Sequence, residues 1–100
     1  MVGEVRSGEE TGEIVEKEYG PIKYWDTRLV TDMSYLFYGK TTFNTAIGGW
    51  AVSKVNNMTS LFEVASSFNR DTGNLDVSTV TAMSFLFYGA SDFNQDIGYL

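Results

Sequence analysis

The sequence predicts an α/β repeat fold, a right-handed solenoid with one short parallel strand and one short helix per coil. Three observations lead there. First, seven columns recur at a spacing of 25 residues without insertion or deletion: Val30/Val55/Val80, Met33/Met58/Met83, Leu36/Leu61/Leu86, Phe37/Phe62/Phe87, Phe43/Phe68/Phe93, Asn44/Asn69/Asn94 and Gly48/Gly73/Gly98. A fixed period in this range marks a stacked repeat architecture. Second, the Val, Met, Leu and Phe columns fall at i, i+3, i+6 and i+7, one face of a short helix. Third, after a turn rich in Thr, Ser and Asp, each copy runs Phe-Asn-x-x-(Ile or Thr)-Gly, read as a short strand.

Each element has a local rationale. The helix would open at Thr31, Asn56 or Thr81, whose side-chain oxygens can accept a free first-turn N–H. It would stop at Gly39 and Gly89, where glycine takes the left-handed conformation at no steric cost; Val64 stands there in the middle copy. Parallel strands are expected over 45–50, 70–75 and 95–100, stacked on one near 20–25, with the helix as crossover. A helix of about two turns has no stability alone in water, so packing between copies must hold it.

The organisation follows from the register. Residues 1–18 form an acidic leader or N-terminal cap carrying Glu4, Glu9, Glu10, Glu13, Glu16 and Glu18. A half-repeat, 19–24, precedes full repeats 25–49, 50–74 and 75–99, and its Pro21 lies where a missing backbone donor costs least. Leu100 opens a fourth copy with no polar cap after it. The sequence is therefore expected to be a fragment of a longer array, or to self-associate through its C-terminal end.

Composition narrows the function. There is no cysteine and no histidine, which removes disulfides, the usual zinc ligand sets and Cys–His or Ser–His nucleophilic catalysis. A net charge of −6 argues against nucleic acid, whose phosphates need a basic face. No apolar run reaches the ~18 residues of a membrane span. The first residues lack the basic start and apolar core of a secretory signal. No enzyme activity and no cofactor is expected.

Candidate sites divide into core and surface. The Met stripe and the Phe stripe (37, 43, 62, 68, 87 and 93) read as core. Asn44, Asn69 and Asn94 read as an internal ladder, each amide pairing with backbone of the adjacent turn, because buried polar groups need partners. Asp71 and Asp96 share one column and Asp26 and Asp76 another. A calcium site there is conceivable, since calcium takes several hard oxygens, but neither column is filled in every copy, and no metal site is assigned. The columns that vary on the expected strand face, Arg70, Asp71, Asn74, Gln95, Asp96 and Tyr99, are the candidate binding residues, set against the alternative of solvent positions free to vary.

The segments Trp-Asp-Thr-Arg-Leu-Val-Thr-Asp-Met-Ser-Tyr-Leu-Phe-Tyr-Gly and Val-Ser-Thr-Val-Thr-Ala-Met-Ser-Phe-Leu-Phe-Tyr-Gly-Ala-Ser-Asp-Phe-Asn-Gln-Asp-Ile resemble the BspA-like bacterial surface-protein repeat, of the leucine-rich-repeat-like class. The resemblance spans residues 19–100. The middle copy departs most, with Ala51, Thr72 and Glu63-Val64 in place of Asp, Ile and Tyr-Gly. The resemblance implies a solenoid at the cell surface or outside the cell, serving display, adhesion or protein binding, with a protein or cell-surface ligand as partner. The alternatives are a structural spacer without a specific ligand and an accessory domain of a larger protein.

Overall fold

The computed structural model describes residues 20–97; the acidic segment 1–18 lies outside them. The three copies rest on one another in register, and their backbones show how. From Met33 to Lys40 the amides alternate between two uses. Those of Met33, Tyr35, Phe37 and Gly39 donate to the carbonyls of Asn57, Thr59, Leu61 and Glu63 in the next copy. Those of Leu36, Tyr38 and Lys40 donate three residues back, closing consecutive turns. The second copy repeats the scheme on the third. Met58, Ser60, Phe62 and Val64 donate to Ala82, Ser84, Leu86 and Tyr88 at 2.7–3.0 Å, and Leu61, Glu63 and Ala65 close turns. In the third copy the turn bonds persist at Leu86, Tyr88 and Ala90, while the amides of Met83, Phe85, Phe87 and Gly89 meet no acceptor among the described residues.

This overturns the α/β solenoid. Among the described residues the single regular element is a 3-10 turn, Ile22–Tyr24, where a strand was expected. Bridges between described residues are isolated and parallel, Asp32 to Asn57 and Asn57 to Ala82. The predicted helix fails for a conformational reason. Tyr35, Ser60 and Phe85 share one column and have φ of 61°, 57° and 59°, and Gly39, Val64 and Gly89 share another at 68°, 59° and 73°. A left-handed residue every fourth position cannot belong to an α-helix, and for bulky residues it is a strained exception. Thr31, Asn56 and Thr81 consequently cap nothing. Asn56 and Thr81 instead donate their amides to Thr31 O and Asn56 O in the preceding copy.

The expected strands are also absent from 45–50, 70–75 and the described part of 95–100. Turns closed by Trp50 N to Ile47 O and Leu75 N to Thr72 O take their place. The copies approach closely there, since a Cβ added at Gly48 would stand 3.0 Å from Asp71 O.

The core is a set of columns running through the layers. Phe37, Phe62 and Phe87 stack at 5.9 and 5.4 Å, and Phe43, Phe68 and Phe93 at 5.6 and 5.9 Å. Within each layer the two rings stack at 3.8, 4.2 and 4.1 Å. The middle layer, covered on both sides, is the best buried: Phe62 and Phe68 are 1% and 0% exposed, while Phe87 and Phe93 are only partly buried.

One column carries a defect. Thr72 stands where the neighbouring copies have Ile47 and Ile97, and its buried hydroxyl has no hydrogen-bond partner. Thr72→Val removes the orphaned group at nearly constant shape. It is expected to stabilise the fold by ~1–2 kcal/mol, read as a raised denaturation midpoint with an unchanged slope.

Candidate functional site

The residues singled out on the expected strand face divide between structural bonding and solvent. Arg70 is exposed and its Nε donates to Asn44 O at 2.8 Å. Asp71 is exposed, and its Oδ1 accepts from Gly73 N at 2.8 Å. Gln95 is half-buried, and its Nε2 donates to Asn69 Oδ1 at 2.9 Å and to Asn69 O at 3.3 Å. Asn74 and Asp96 are exposed, and Tyr99 lies outside the described residues. Arg70 and Gln95 thus spend their polar groups on the adjacent layer.

The asparagine column runs beside them. Asn44 Oδ1 accepts from Asn69 N, and Asn69 Oδ1 accepts from Asn94 N, both at 2.9 Å. These side chains stand in for backbone carbonyls between layers. Asn44 and Asn94 are exposed and Asn69 is half-buried, so the ladder lies at the surface.

The aspartate columns are held locally. Arg28 donates to both carboxylate oxygens of Asp26, at 2.9 and 2.8 Å, and this hydrogen bonding holds the Asp26 carboxyl below its ordinary range. Ser78 donates to Asp76 Oδ1 from its hydroxyl and its amide, which lowers Asp76 likewise. Among the described residues no three acidic side chains gather in a group suited to a metal ion.

The most distinctive surface lies at the opposite end of each copy, on the run of turns. Six residues form a grid of two columns and three layers: Tyr35 and Tyr38, Ser60 and Glu63, Phe85 and Tyr88. Tyr35 and Phe85 have left-handed backbone, and with the adjacent Leu-Phe pairs turned inward the rings of Tyr35, Tyr38, Phe85 and Tyr88 face outward. The four aromatic residues are 50–64% exposed. Tyr35 meets Tyr38 edge to face at 5.9 Å, and Phe85 meets Tyr88 at 5.7 Å and 89°.

Between the aromatic layers the middle layer is small and polar. Ser60 is buried and its hydroxyl donates to Glu63 Oε1 at 2.6 Å. The grid is therefore a shallow trough, with aromatic walls on the first and third layers and a hydroxyl–carboxylate pair on its floor. Sequence reasoning missed it, although the signal was present. Four consecutive apolar residues, Tyr35-Leu36-Phe37-Tyr38, cannot all enter one core, and Phe85-Leu86-Phe87-Tyr88 repeats the excess.

Strained backbone, exposed aromatics and a carboxylate held by a hydroxyl suit binding. No helix among the described residues is long and apolar enough to cross a membrane. No curated protein and no solved structure matches the chain. A family model does match over residues 10–100, nearly the whole chain and all three of its layers, and by that match the chain belongs to the family described as Mycoplasma protein of unknown function, DUF285.

Proposed function

We propose that the chain is a non-enzymatic binding module, displayed at the cell surface or outside the cell, whose turn-edge trough contacts a protein or cell-surface ligand. The observation that carries this reading is the trough itself. Tyr35, Tyr38, Phe85 and Tyr88 leave at least half of their surfaces exposed on a layered scaffold that could have placed polar residues there. Exposed aromatic pairs of this kind mark interaction surfaces. The surface location draws its support from the resemblance of the repeats to BspA-like surface proteins. A spacer without a ligand would gain nothing from such a face.

The test uses the double variant Phe85→Ser/Tyr88→Ser. Its melting temperature is expected to stay within a few degrees of wild type, since exposed side chains contribute little to stability. Its capture of partners from a surface extract is expected to be lost. An identical set of captured proteins from both forms would overturn the reading.

A second reading, self-association through the third layer, is favoured by the amide row of Met83, Phe85, Phe87 and Gly89. These donors, without an acceptor among the described residues, stand beside half-buried Phe87 and Phe93 as an edge suited to pairing. Sedimentation is expected to show a mass that rises with concentration. A monomer across the whole range would remove this reading.

A further inference from the structure

We propose that the trough seats a lysine or arginine side chain from a basic segment of a protein partner. The inference rests on the binding-module reading and names the chemistry its site would take. Three features of the trough point to a cation. The walls are aromatic, and ring faces attract cations that lie within about 6 Å of the ring centroid. Successive layers are spaced by 5.4–5.9 Å along the Phe37–Phe62–Phe87 stack. In that register the Ser60–Glu63 layer lies between the two aromatic pairs, so a charge held there has aromatic side chains on both sides.

The floor supplies the counter-charge. The Glu63 carboxylate is positioned by the Ser60 hydroxyl at 2.6 Å through Oε1, and Oε2 takes part in no protein hydrogen bond among the described residues. Glu63 is followed by Val64, which packs against Gly89 with its side chain 3.4 Å from the place a Cβ would occupy. This contact fixes the floor beside the Phe85–Tyr88 wall. The near-perpendicular rings at that wall form a corner rather than a flat platform. A corner suits a compact charged group better than a planar sugar face.

The two walls are not equivalent. Lys40 follows Tyr38 by two positions, whereas Ala90 holds the same column on the third layer. The first wall thus has a resident positive charge nearby, and the Phe85–Tyr88 corner does not. The net charge of −6 adds a general attraction for basic segments, which steers encounter without selecting a site.

The experiment titrates the full chain with a fluorescent peptide of alternating lysine and glycine, and with the same peptide acetylated on every lysine. Acetylation is expected to weaken binding to wild type by about tenfold or more. Glu63→Gln, which keeps an acceptor for Ser60, and Phe85→Ser/Tyr88→Ser should each cause a comparable loss for the unmodified peptide. Asp71→Asn, on another face, should change it by less than about twofold, as expected for a screened distant charge. Equal binding of the acetylated peptide would overturn the proposal. So would an equal loss from Asp71→Asn and Glu63→Gln, since that is charge attraction without a site. If the aromatic double variant loses its partner from the extract while the lysine peptide is unaffected, the cation assignment falls and the binding module stands.

Discussion

Phe62→Ala is expected to cost ~3–5 kcal/mol, as large core truncations do, and to leave the chain largely unfolded at ambient temperature. The ring is 1% exposed and touches aromatic neighbours on three sides: Phe37 above at 5.9 Å, Phe87 below at 5.4 Å and Phe68 beside it at 4.2 Å. Its removal opens a void at the one layer that cannot relax toward solvent. Aromatic pairs of this kind contribute about 0.5–1.5 kcal/mol beyond burial, and three are lost together. The equivalent change at the partly buried Phe87 should cost less. Denaturant melts of the two variants make the comparison. Equal losses would mean that the middle layer is not the centre of the stack.

Trp50→Ala is expected to be nearly as damaging, again ~3–5 kcal/mol, by a different route. The indole is buried, lies 5.9 Å from Phe37, and donates from Nε1 to Ile22 O at 3.0 Å. It ties the entry turn Ile22–Tyr24 to the layers that follow. Trp50→Phe should lose only the hydrogen bond and part of the area, roughly 1–2 kcal/mol. A melt in which Phe and Ala substitutions cost the same would show that the bond, not the ring, carries the contribution.

The period and the apolar columns were legible because a stacked core needs the same residue at the same depth in every layer. Val55, Met58, Leu61, Phe62 and Phe68 are all buried in one cluster. The path of the backbone between those columns was not legible. Spacing i, i+3, i+6, i+7 suits a helix face, but it also suits a run of turns in which alternate amides leave the layer. What separates the two is the left-handed backbone at Tyr35, Ser60 and Phe85, and no residue there announces it. Only Gly39 and Gly89 hinted at it, and a helix end explained them equally well. The aromatic face was not legible for a related reason. Variation between copies at Arg70 and Gln95 drew attention to a face where these side chains bind the adjacent layer. The aromatic trough sits in columns assigned to a helix that does not form.

The alternating amides of residues 33–40 and 58–65 have a consequence for how such a chain tolerates change in its gene. Every second N–H closes a turn and every other one reaches the next layer. A single-codon insertion or deletion within either run exchanges the two sets, so that groups aimed along the stack point sideways and the reverse. Substitution at an outward residue such as Tyr38 leaves this parity intact. A shift of register by one residue displaces up to four interlayer bonds of the first run at once. Length is therefore more tightly constrained there than side-chain identity, and new layers can be gained or lost only in whole units of 25 residues.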